Sequence, residues 1–170
     1  DKWLGFATAI MTTDTVAKAV SEQLIIDGEA ITVTGVAKGS GMIKPNMATM
    51  LGYIACNATV SRQVLQKLAT EVANASFNRI TVDGDTSTND CFMLAATGAS
   101  AMTPIVSVSD PRLADLQQAV ASVARTLAQA IVRDGEGATK FVTVTVSGGA
   151  SEAECLEVAY TVAESPLVKT

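Results

Sequence analysis

The stretch Gln23-Leu24-Ile25-Ile26-Asp27-Gly28-Glu29-Ala30-Ile31-Thr32-Val33-Thr34 sets the architecture. An apolar run, Gln23–Ile26, meets the turn Asp27-Gly28-Glu29, and Ile31–Thr34 beyond it is rich in β-branched residues. Two such runs around Asp-Gly predict a β-hairpin. Downstream, residues 35–46 carry Gly35, Gly39, Gly41 and Pro45-Asn46, punctuation that reads as a loop. Met47–Cys56 is a nearly continuous apolar run and reads as a strand buried on both faces. Ser61 is an N-cap, and Val64, Leu65, Leu68, Val72 and Ala75 recur at helical spacing, which predicts a helix over 61–76. Arg79–Val82 reads as a short strand, 83–90 as a polar loop and Cys91–Thr97 as another buried strand. Ser109-Asp110-Pro111 opens a long helix. Its face of Leu113, Leu116, Val120, Val123, Leu127 and Ile131 ends at Asp134-Gly135-Glu136-Gly137. Phe141–Val146 alternates with period 2, as a half-exposed strand does. Ser151 and Glu154 form a capping box for a last helix to about Ala163, with Ser165-Pro166 as its stop. Strands alternate with helices and no Rossmann fingerprint is present. The fold class is α/β: a layered sandwich of mixed β-sheets flanked by helices.

The composition excludes several chemistries. The 170 residues are 48% hydrophobic and 17% charged, a globular composition. There is no histidine, so this chain cannot supply a Ser-His-Asp or Cys-His triad or a His-ligated zinc. A net charge of −5 and a pI of about 4.6 give no basic footprint for nucleic acid. Cys56, Cys91 and Cys155 stand far apart and odd in number, which suggests neither a disulfide framework nor a thiolate metal site. They fit a reducing compartment such as the cytoplasm. No apolar run reaches the roughly 18 residues of a membrane span. Asp1–Met11 lacks the basic and long apolar regions of a signal peptide. The chain has no initiator Met and reads as a piece of a longer protein.

Three segments invite a functional reading. Lys38-Gly39-Ser40-Gly41 is Gly-rich beside a Lys, but a phosphate-binding P-loop places its Lys after the glycines and opens a helix. A tight turn accounts for the glycines, though not for the Lys. Asp83, Asp85, Asn89 and Asp90 resemble a calcium loop in composition but not in spacing. Asx side chains satisfying a loop's own backbone explain them better. Glu136 lies between two glycines at a helix C-terminus, where the macrodipole disfavours negative charge. That local conflict marks Asp134–Gly137 for attention.

Lys38-Gly39-Ser40-Gly41-Met42-Ile43-Lys44-Pro45-Asn46-Met47-Ala48-Thr49-Met50-Leu51 resembles the processing segment of the ornithine acetyltransferase (glutamate N-acetyltransferase) family. Ala9-Ile10-Met11-Thr12-Thr13-Asp14-Thr15 is similar to a second family string. So are residues 83–90, Asp-Gly-Asp-Thr-Ser-Thr-Asn-Asp, and Glu136-Gly137-Ala138-Thr139-Lys140. The four strings keep the family's order and span most of the chain.

The resemblance implies an N-terminal-nucleophile-like fold, present here in part. It implies a precursor cut between Ala48 and Thr49, so that 1–48 is the end of an α-chain region and 49–170 the start of a β-chain region. Together they would form one incomplete catalytic domain, inactive as an isolated fragment. It further implies Thr49 as nucleophile, carrying the acetyl group from N-acetylornithine to glutamate and releasing ornithine. Thr13, Lys38, Thr49 and Glu136 carry over as substrate-binding positions. No metal or cofactor is implied, although some members take acetyl-CoA as donor. Partners are other copies in an α2β2 heterotetramer, with no nucleic acid and no membrane. The chemistry is coherent: a freed α-amine, with a pKa of about 7.7–8.0, supplies a base on the same residue as a weak hydroxyl nucleophile. The rival readings are a related self-processing aminopeptidase or amidase, with water as acceptor, and a non-catalytic binding domain.

Overall fold

The computed structural model describes residues 2–44, 50–86 and 89–169. In it, α1 (Lys2–Ala9) precedes the hairpin of β1 (Lys18–Ile26) and β2 (Glu29–Lys38). Then come β3 (Leu51–Cys56), α2 (Arg62–Ala75), β4 (Cys91–Ala96), α3 (Arg112–Arg133), α4 (Glu152–Glu164) and α5 (Pro166–Lys169). The sheet order is β1-β2-β3-β4. β1/β2 and β2/β3 are antiparallel, and β3/β4 is parallel. The chain is thus a mixed sheet flanked by helices, the expected α/β class.

The hairpin turns as its sequence demands. Asp27 and Gly28 both take positive φ, 55° and 79°, the geometry that matches strand twist in a two-residue turn. α2 starts where expected, with Ser61 accepting from the Val64 amide. On α3, Leu116, Val120, Val123, Leu127 and Ile131 are fully buried. Each contributes roughly 1.5–3 kcal/mol on burial, which makes this face the main anchor of the core. Ser151 caps α4 by accepting from the Glu154 amide, while the Glu154 carboxylate reaches the Ala150 amide, one residue before the cap.

Five expectations need correction. Residues 35–38 are not loop but the last four of β2. Gly35 is there because α3 seats on it: a Cβ at Gly35 would lie 2.8 Å from both Leu127 Cδ1 and Val123 Cγ1. β3 is not buried on both faces. Gly52, Ile54 and Cys56 are buried, whereas Leu51, Tyr53 and Ala55 are only half-buried; residues 47–49 of the expected strand lie outside the described residues. β4 is an edge strand, and Met93 on it is 57% exposed. Arg79–Val82 is not a strand. A 3₁₀ turn spans Phe77–Arg79, and the Tyr160 hydroxyl donates to the carbonyls of Asn78 and Ile80, which a ladder would need. Phe141–Val146 joins no ladder among the described residues. Its alternation supplies a face but no partner edge, and Phe141 lies instead under the Arg133 guanidinium, 4.1 Å from the ring centroid.

One element lacks a sequence signal. α1 brings Phe6 to 5.2 Å from the Tyr53 ring. Tyr53 pairs with Val36 in the β2/β3 register, so both lie on the face away from α3. α1 therefore covers that second face near the Lys38 end.

Candidate active site

The end of the sheet where β2 finishes and β3 and β4 begin gathers the polar groups. Lys38 pairs with Leu51, and Leu51 with Cys91, in one row across three strands. Three loops and a helix end close over this row: residues 10–15 after α1, 39–44 after β2, 83–86 with 89–90 before β4, and 134–137 after α3. These are the segments of the four strings singled out above, brought together by a topology that their spacing does not reveal.

Lys38 is only 8% exposed, and its Nζ donates to Thr12 Oγ1 at 3.0 Å. The neighbouring Thr13 hydroxyl shares a 2.6 Å hydrogen bond with Ser40 Oγ. The Ser40 carbonyl accepts the Glu136 amide at 2.7 Å. The Glu136 side chain is exposed but lies against the turn: a Cβ on Gly41 would be 2.8 Å from its Cδ. Thr13, Lys38 and Glu136 are therefore members of one hydrogen-bonded unit. Thr49 and Ala48 lie outside the described residues. Met50, the next residue along, is buried at this same end.

Further charged groups complete the site. The Asp14 carboxylate accepts the Gly39 amide at 2.7 Å and pairs with Lys18 at 2.7 Å. Lys18 also meets Asp134 at 2.5 Å. Burial works to raise both carboxyls, but for Asp14 the Gly39 amide, Lys18 and the Thr12 amide outweigh it, and for Asp134 Lys18 and Thr15 do. Both are held below the usual range. Lys18 thereby offsets the negative charge of Asp134 at the C-terminus of α3. Asp90 goes the other way. Burial lifts it to about 6, against the pull of the Met50 amide and the Lys38 charge. Asp83 grips the 42–43 backbone, accepting the amides of Met42 and, at 3.0 Å, Ile43. It also closes an Asx turn on the Asp85 amide at 3.1 Å. That grip holds Met42 in its left-handed conformation, φ 57°. Asp14 was visible inside its string. Lys18 was not, because its partners are four and 116 residues away.

A separate cavity of about 290 Å³ lies away from this row, between α3, α4 and residues 141–144. Among the described residues no cluster of three or more His, Cys, Asp or Glu could hold a metal. No helix there is long and apolar enough to cross a membrane. The three cysteines are free thiols, and burial pushes that of Cys56 up.

The ArgJ family model matches residues 2–170. The chain belongs to the ArgJ family. It is 62% identical, over its full length, to an "Arginine biosynthesis bifunctional protein ArgJ" of Pseudomonas fluorescens (strain Pf0-1). It is 59% identical to the protein of the same name in Pseudomonas syringae pv. tomato (strain ATCC BAA-871 / DC3000). It covers 42% of each of those proteins, so the chain spans less than half the length of these ArgJ relatives. The crystal structure of arginine biosynthesis bifunctional protein ArgJ from Bacillus halodurans superposes with a TM-score of 0.68 at 40% identity. The match covers 72% of this chain and 57% of that one. The ArgJ fold and the family resemblance carried by the four strings therefore agree.

Proposed function

We propose that the parent protein is an acetyltransferase that moves the acetyl group of N-acetylornithine to glutamate in arginine biosynthesis. The hydroxyl of Thr49 attacks the acetyl carbonyl, ornithine leaves with the proton that the hydroxyl gave up, and an acetyl-threonine ester remains. The amine of glutamate then attacks the ester, yielding N-acetylglutamate and the free hydroxyl. Cleavage between Ala48 and Thr49 divides 1–48 from 49–170 and frees the α-amine that serves as base. Lys38 suits a substrate carboxylate or acyl oxygen, and Glu136 the ammonium of ornithine. Thr13 lines the same site.

One observation carries this reading: Thr13, Lys38 and Glu136, drawn from three separate strings, are joined through Ser40 and Thr12 beside Met50. Family membership supports the arginine-pathway setting, and lone free thiols support a reducing compartment such as the cytoplasm. The reaction needs no metal or cofactor. Acetyl-CoA as a second donor and an α2β2 assembly extend the same reading. The test is Thr49→Ala in the full-length precursor. Cleavage, followed by mass spectrometry, and acetyl transfer from N-acetylornithine to glutamate should both be lost. Survival of both sinks the proposal, and a parallel assay with acetyl-CoA decides the second donor.

A further inference from the structure

Lys18 belongs to none of the four strings, yet it is the most enclosed cation of the site. Its side chain and that of Asp14 are each 1% exposed, and Asp134 is 5% exposed. One ammonium between two buried carboxylates is a poor stabilising device, because desolvation offsets the attraction. Its connections point to a different use. Asp14 Oδ1 accepts from Lys18 and from the Gly39 amide, and Asp14 Oδ2 accepts from the Thr12 amide. Asp134 accepts from Lys18, from the Thr15 amide at 3.0 Å and from the Thr15 hydroxyl. A single cation therefore ties together the segment bearing Thr13, the turn following Lys38 and the helix end from which Glu136 departs. The Glu136 amide closes the circuit on the Ser40 carbonyl.

We propose that Lys18 is a positioning residue: sealed between Asp14 and Asp134, it clamps the Gly39-Ser40 turn and the Glu136 turn into one geometry and so sets the affinity for the acyl donor. The identity of the donor rests on the acetyltransferase reading; the clamp itself does not. Without Lys18, two carboxylates face each other across the junction and the turns separate.

The test uses the full-length protein in three variants. Lys18→Met removes the cation. Lys18→Met/Asp134→Asn also removes one of the opposed charges, which keeps the experiment informative if the single variant does not fold. Val120→Ala, a core truncation on α3, is the yardstick for stability loss alone. In the double variant the amides of Gly39 and Glu136 should exchange with deuterium at least tenfold faster than in wild type. The KM for N-acetylornithine should rise tenfold or more, while kcat changes less than threefold. Val120→Ala should leave exchange at both amides and KM unchanged. Unchanged exchange or unchanged KM in the double variant, or the same rise in both in Val120→Ala, overturns the clamp. A wild-type protein that transfers no acetyl group refutes the acetyltransferase reading, and the exchange data still judge the clamp.

Discussion

Asp90 accepts the amide proton of Met50 with one carboxylate oxygen, and its other oxygen is buried without a hydrogen-bond partner among the described residues. The carboxylate thus holds the chain at the first residue beyond the proposed nucleophile. An acid in that position is strained as a charge, which is why burial lifts it to about 6.

The sign of its pH dependence follows. Below about pH 4 Asp90 is protonated in folded and unfolded chains alike, and nothing is lost. Above pH 6 it is charged in both, and folding carries the full desolvation penalty. Asp90→Asn keeps an acceptor for the Met50 amide and removes the charge. Its melting temperature should exceed that of wild type at pH 8 by a few degrees, about 1 kcal/mol after allowing for partial exposure. The gain should vanish near pH 4. A loss at pH 8 would contradict this account.

Asp14 and Asp134 respond in the opposite sense. Their carboxyls are held below the usual range, so their stabilisation is complete above about pH 4 and fades as pH falls through the lowered values. Thermal melts of the wild type should lose this contribution only below pH 4. In Lys18→Met both carboxyls lose the cation that lowers them, so the loss of stability below pH 4 should be smaller than in wild type.

Gly35→Ala should weaken the fold directly. The new methyl meets Leu127 and Val123 at 2.8 Å inside the packed face of α3, and overpacking of this kind costs about 1–3 kcal/mol. Urea unfolding would register it as a lowered midpoint with an unchanged slope.

Gly41→Ala should separate binding from stability. Its methyl presses on the carboxyl of Glu136 at 2.8 Å, and Glu136 is an exposed side chain with room to turn aside. The expected result is a melting temperature within about 1 °C of wild type, together with a several-fold higher KM for N-acetylornithine. An unaltered KM would remove Glu136 from the binding site.

Local chemistry explains which features could be read in advance. The Asp27-Gly28 turn, the Ser61 and Ser151 caps and the apolar face of α3 are each determined within a few residues, and each appears where its pattern puts it. Gly35 misleads because its reason is a helix about ninety residues downstream. Phe141–Val146 misleads because alternation describes a face, whereas a ladder needs a neighbour. In the site, Thr13, Lys38 and Glu136 are legible through the strings that contain them. Lys18 and Asp90 matter through distant partners, and no local spacing encodes those.

The register of β2 and β3 bears on what self-cleavage would leave behind. Six residue pairs, from Val33↔Cys56 to Lys38↔Leu51, join a strand upstream of Ala48 to one downstream of Thr49. A break between those residues would yield two polypeptides sharing one hydrogen-bonded sheet, with the helix of the later piece seated on the strands of the earlier one. The products would remain interwoven, so the new chain ends could open at the site without the protein coming apart.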